Sequence, residues 1–183
     1  QTNFAYWRSA YDKGKVFLAQ LPYIIGQEAF AKGMLNYYEQ WKFRHPNPND
    51  FIRVMEKTSG LELDWYKEYM VHTTHIIDYG IKEVRDTSKK RTVVHLTRNE
   101  AMPMPIDLLI TYDDGSREMI NIPLRIMRGS KPPEAEDYKY RVAEDWPWTH
   151  PDYFLVIDEK KKKIQKIEID PSGRLADVNG END

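Results

Sequence analysis

The hydrophobic period of this chain changes once, near residue 75, and that change limits the fold more than any single motif does. Before it, apolar residues recur every three to four positions, the spacing of a helix with one buried face. After it they alternate, the spacing of a strand with one buried face. A chain of 183 residues with 40% hydrophobic and 13% aromatic content carries enough apolar surface to bury a core on both sides of that boundary. The expected fold class is therefore α+β: an N-terminal bundle of about four helices over residues 1–75, then a small antiparallel β-sandwich-like domain over residues 76–183.

In the helical part, Tyr11, Val16, Phe17, Ala19, Leu21 and Ile24 mark the apolar side of a first helix. Pro22 should kink or end that helix early, because proline has no amide donor and crowds the preceding turn; Gly26 then ends it. Phe30, Met34, Tyr37 or Tyr38, and Trp41 form the stripe of a second helix and read as a core face. Asn47-Pro48-Asn49-Asp50 is a helix start, with Asn47 as cap, Pro48 in the first helical position and Asp50 facing the positive helix end. Phe51, Ile52 and Met55 point inward from that third helix, which Gly60 closes. A fourth helix, roughly Glu62 to Val71, presents Trp65, Tyr66, Tyr69 and Met70.

From about Ile77 the strands begin. Ile106, Leu108, Ile110 and Tyr112 fall on one side of a strand, and Asp113-Asp114-Gly115 turns it back into Glu118 to Ile122, since Asp-Gly readily takes the positive φ of tight turns. Tyr153 to Ile157 and Ile164 to Ile169 form a second pair, with the charged run between them read as a solvated hairpin tip. Gly129 to Trp148 is rich in proline and charge and reads as irregular. The aromatics of Trp146-Pro147-Trp148 should plug the edge of the β core.

Several function classes are excluded at this level. A formal net charge of −2 with 31% charged residues gives no basic bias towards nucleic acid. Apolar runs such as Val16 to Leu18 and Tyr153 to Ile157 are far below the roughly 20 residues of a membrane span. The absence of cysteine removes disulfides and thiolate metal sites. The chain opens at Gln1, without a charged stretch leading into an apolar one, and reads as a piece of a longer polypeptide with no signal peptide in view. His72 and His75 stand three residues apart, but the carboxylate that accompanies a helical zinc pair is missing, so they read as a helix end.

The string Ser9-Ala10-Tyr11-Asp12-Lys13-Gly14-Lys15-Val16-Phe17, followed by Leu21, Ile25-Gly26, Phe30, Gly33, Tyr37 and Trp41, resembles the stretch that follows the zinc site in M1 aminopeptidases, a gluzincin family. Trp41-Lys42-Phe43-Arg44-His45-Pro46, Asp50 to Glu56, Ser59-Gly60-Leu61 and Leu63-Asp64-Trp65 continue the resemblance. Met104-Pro105-Ile106-Asp107 with Asp113-Asp114-Gly115 is similar to the β domain found after it, and Trp146-Pro147-Trp148 and Ile169-Asp170-Pro171 resemble features of a branch of the same family. The resemblance implies that Tyr11 donates its phenolic hydrogen to the oxyanion formed when zinc-activated water attacks a peptide carbonyl, and that Tyr6 lies near the substrate. A donor aimed at charge that appears only in the transition state lowers the barrier without tightening ground-state binding.

The family's His-Glu-x-x-His motif and its upstream Gly-x-Met-Glu-Asn strand are both missing from this sequence. The resemblance therefore implies a C-terminal piece of a zinc aminopeptidase, inactive alone, whose zinc ligands lie elsewhere in the same polypeptide and whose substrates are peptides. It also suggests a bacterial and exported, periplasmic, protein. The competing reading is a non-catalytic helical and β interaction module.

Overall fold

The fold is taken from a computed structural model that describes residues 11–87, 91–158 and 162–180. Four helices come first among these residues: α1 Lys13–Ile25, α2 Gln27–Trp41, α3 Pro48–Ser59 and α4 Asp64–His72. Seven strands follow: β1 Tyr79–Thr87, β2 Arg91–Arg98, β3 Ile106–Tyr112, β4 Arg117–Ile122, β5 Lys139–Val142, β6 Asp152–Asp158 and β7 Ile164–Ile169. The α+β order agrees with the change of hydrophobic period.

Helix α1 runs through Pro22 to Ile25 instead of stopping at it. Four residues from the helix end, the ring forfeits one backbone hydrogen bond, while Leu21, Tyr23, Ile24 and Ile25 are all fully buried. That apolar gain outweighs one missing bond. Gly26 does end α1, at φ 88°, and its amide donates to the Pro22 carbonyl. The start of α3 follows the expectation closely. The Asn47 side chain accepts from the amides of Asn49 and Asp50, the Asp50 carboxylate accepts from the Asn47 amide, and Pro48 is the first helical residue. Gly60 closes α3 in the left-handed region at φ 74°.

The second helix differs from expectation. Phe30, Tyr37 and Trp41 are half-buried, Met34 is exposed, and Gly33 is the α2 residue that is fully buried. The aromatic stripe is not a core face because α2 sits on the outside of the bundle, touching α3 along one line. At that line a Cβ on Gly33 would stand 2.5 Å from the Met55 Sδ, so the missing side chain sets how closely the two helices approach.

Strands β1, β2 and β6 form one antiparallel sheet, and β5, β4, β3 and β7 form a second. The β3–β4 hairpin turns at Gly115, φ 79°, with Ile106 opposite Ile122 and Leu108 opposite Ile120. Two sequence expectations are corrected here. Strands β6 and β7 do not pair with each other, since β6 pairs with β2 and β7 with β3; residues 159–161 of the charged run between them lie outside the described residues. Each strand thereby keeps its own apolar residues, Leu155 and Ile157 or Ile169, on buried positions. The stretch from Gly129 to Trp148 is not wholly irregular either, since it contains β5, which runs parallel to β4 and makes the second sheet mixed.

Trp146 is the expected plug. Its ring is 1% exposed, meets Tyr79 edge-on at 5.4 Å and stacks on Tyr153 at 5.1 Å, while its indole N–H donates to the His150 carbonyl. Buried residues from α1, α3, α4 and both sheets join one apolar cluster, from Leu21 to Leu175. No described helix is long and apolar enough to cross a membrane.

Candidate active-site tyrosine and its surroundings

Tyr11 is the first described residue and stands just ahead of α1. The backbone of Asp12, between it and α1, is already helical at φ −68° and ψ −48°. The Tyr11 side chain is 53% exposed. Tyr6 lies outside the described residues.

The head of α1 is held by neighbours further along the chain. The Lys13 ammonium donates to the Thr73 carbonyl at 2.6 Å, just past the end of α4. The Phe17 ring stacks on Tyr66 at 5.0 Å, and the Tyr66 hydroxyl donates to the Phe17 carbonyl at 2.8 Å. Burial pushes the Tyr66 phenol well above its ordinary range, so it stays a donor at any physiological pH.

Around this head the surface is apolar. A groove of about 430 Å³ is lined by Gly14, Phe17, Leu18, Met34, Tyr37 and Phe51 among others. A second hollow of about 230 Å³, on the other side of α1, is lined by Val16, Met70, Ile76 and Val178 with Asp12 and Lys13 at its rim. Leu35, Tyr38 and Phe43 are exposed nearby in sequence, Phe43 almost completely at 99%. At Gly14 a Cβ would meet nothing within 4 Å. Glycine in a helix costs roughly 0.5–1 kcal/mol against alanine, and nothing among the described residues requires that cost here.

A buried charge network at the other end of α1 escaped the sequence reading. The Lys131 ammonium donates to Asp107 Oδ2 at 2.6 Å, to the Tyr23 carbonyl at 2.9 Å and to Glu134 Oε2 at 3.1 Å, and sits 4.6 Å from the Tyr23 ring centroid. The Tyr23 hydroxyl accepts from the Asp107 amide, Asn121 donates to Asp107 Oδ1 at 2.8 Å, and Arg174 forms a two-pronged ion pair with Glu134. Burial works against ionisation of Glu134, but the hydrogen bond from Arg174 and the charge and hydrogen bond of Lys131 outweigh it and pull its carboxyl down to about 2. Burial, then the nearby Asp107 charge, push the Tyr23 phenol well up. The network ties α1 to the second sheet, and Asn121 Oδ1 is left in it as a buried acceptor without a partner among the described residues. The signal in the sequence was faint: Asp107 sits on the outward register of an apolar strand, where a carboxylate usually meets water.

The described residues do not fit a zinc ion. They contain no group of three or more histidine and carboxylate side chains able to hold a metal. His72 ends α4 and His75 lies beyond it, its ring 5.8 Å from that of Tyr69. His95 is engaged with Asp152 at 2.6 Å on the first sheet.

Residues 1–70 match the family described as Peptidase family M1 domain. Aminopeptidase N of Escherichia coli (strain K12) is 26% identical over 127 residues, which is 66% of this chain and 15% of that protein. Aminopeptidase N of Streptomyces lividans is 33% identical over 66 residues, 36% of this chain and 8% of that protein. Among solved structures, Legionella pneumophila aminopeptidase A in complex with aspartic acid covers 93% of this chain at a TM-score of 0.51 and 15% identity, with 17% of that chain matched. The chain thus spans less than a fifth of the length of these relatives, and the structural likeness extends the shared fold across both the helices and the sheets. With a match to the M1 peptidase family in its first 70 residues and a fold like that of a solved aminopeptidase A over 93% of its length, this chain is similar to M1 aminopeptidases.

Proposed function

We propose that this chain is part of a zinc-dependent M1-type aminopeptidase that removes N-terminal residues from peptides, and that Tyr11 supplies the hydrogen bond to the oxyanion at the scissile carbonyl. The observation that carries the reading is the setting of Tyr11. It is a half-exposed phenol at the start of a pinned helix, inside the family-matched residues 1–70 and three residues before Gly14, which lines an apolar groove among the described residues. The names of the relatives, aminopeptidase N and aminopeptidase A, support a peptidase parent.

In this reading Tyr11 works by preorganisation. A hydroxyl held in place by its helix needs no reorganisation as charge develops on the carbonyl oxygen, and its interaction is stronger with the oxyanion than with the neutral ground state. The zinc belongs to other residues of the same polypeptide, because the donor set described here does not fit it. Residues 1–75 form the helical segment next to that catalytic part, and residues 76–183 form the β domain that supports the helices from behind. The catalytic part packs over the apolar rim of α1, and the bare Gly14 backbone lets it approach closely.

Hydrolysis of aminoacyl p-nitroanilides and zinc content, measured on the complete polypeptide and on this chain alone, test the reading together. The complete polypeptide should hydrolyse them, lose activity to a chelator and regain it with zinc. This chain alone should do neither and bind no stoichiometric zinc. A complete polypeptide without hydrolytic activity would favour the non-catalytic interaction module instead.

A further inference from the structure

Lys13 begins α1 two residues after Tyr11, with Asp12 between them at φ −68° and ψ −48°. No glycine or loosely turned residue separates the two side chains, so the position of Lys13 sets that of Tyr11. The Lys13 ammonium reaches the Thr73 carbonyl at 2.6 Å, across 60 residues of sequence. That carbonyl is itself fixed: the Thr73 hydroxyl donates to the Tyr69 carbonyl at 2.5 Å and accepts from the His75 amide at 3.2 Å. The cation also meets the negative end of α4, which strengthens the contact. Further along α1, Phe17 accepts from Tyr66, and Gln20 donates to the Arg174 carbonyl at 2.6 Å and accepts from the Ala176 amide at 3.1 Å. At 1.5 Å rise per residue these ties lie about 9 and 13 Å from Tyr11 along the helix axis. Among the described side-chain ties of α1, the one made by Lys13 is the nearest to Tyr11, within two residues of it.

We propose that Lys13 is the positioning residue for Tyr11, holding the phenol in line by clamping the head of α1 to the carbonyl beyond α4. This inference rests on the assignment of Tyr11 as oxyanion donor. It gives the lysine of the Tyr-Asp-Lys-Gly string a task distinct from binding substrate. The acceptor is a backbone carbonyl, so the clamp depends on the lysine and its length, and a guanidinium at the same position can replace it in part.

The test is a double-mutant cycle on the complete polypeptide, with Lys13→Met, Tyr11→Phe, the pair together, and Lys13→Arg as rescue. Lys13→Met should lower kcat roughly 10- to 100-fold with KM within about twofold, because a misplaced donor is missed in the transition state and not in substrate binding. In the Tyr11→Phe background the same change should cost less than about twofold, and Lys13→Arg should recover at least half of the lost activity on a logarithmic scale. Full kcat in Lys13→Met, or losses that multiply in the double variant, would overturn the inference while leaving the role of Tyr11 standing. An unchanged kcat in Tyr11→Phe alone would overturn the role of Tyr11 and this inference with it.

Discussion

An ammonium group at 3% exposure survives burial only when each of its hydrogens finds an acceptor, and Lys131 meets that condition with Asp107, Glu134 and the Tyr23 carbonyl. Removing it strands the Asp107 carboxylate, itself 8% exposed, without its cation. Lys131→Ala should therefore destabilise the chain by about 3–5 kcal/mol in urea unfolding at neutral pH, and Lys131→Met with Asp107→Leu should recover much of that. A cost under about 1 kcal/mol would mean that the network is not what ties α1 to the second sheet. Glu134 adds a pH dependence. Its folded-state pKa, about 2, is depressed below the ordinary 4.5, so its contribution is fully present above pH 4.5 and is lost as pH falls towards 2. Unfolding titrations should show an acid limb between those values that Glu134→Gln flattens; an equal slope in the variant would remove Glu134 as its cause.

At the scale of elements, two glycines in neighbouring helices should respond in opposite directions to the same substitution. Gly33→Ala drives a methyl into Met55 and should cost about 1–3 kcal/mol, whereas Gly14→Ala meets open space and should stabilise this chain by about 0.4–1 kcal/mol. If Gly14 faces the rest of a longer polypeptide, the same alanine should weaken that larger protein. Thermal melts of the two variants of this chain check the pair, and stabilisation by both would contradict the α2–α3 packing.

Local chemistry was what the sequence made legible. The cap at Asn47, the stop at Gly60 and the turn at Gly115 are each decided by a few adjacent residues, and each stands where expected. What depended on distant partners was not legible. Pro22 sits inside α1 because buried neighbours override its local preference. The apolar stripe of α2 does not become core because nothing described covers it. Strands β6 and β7 are neighbours in sequence but answer to different sheets, and β5 exists only because β4 offers it an edge. The site divides the same way. Tyr11 was named from a contiguous string, while the Lys131 network joins residues from Tyr23 to Arg174 that only the fold brings together.

Across the whole molecule, one continuous apolar core binds the helices to both sheets, so the head of α1 is mounted on a rigid base. The other side of that head carries an apolar groove among the described residues, and the chain amounts to less than a fifth of the relatives it matches. A firm mount on one side and an apolar groove on the other suit a part that presents one side chain to a reaction centre built by its neighbours. The central claim is that the Tyr11 hydroxyl, and not merely its ring, is what the mount presents. Steady-state kinetics of Tyr11→Phe in the complete polypeptide tests it most directly: kcat should fall by about two to three orders of magnitude with KM little changed, and a fall of less than about threefold would contradict the account.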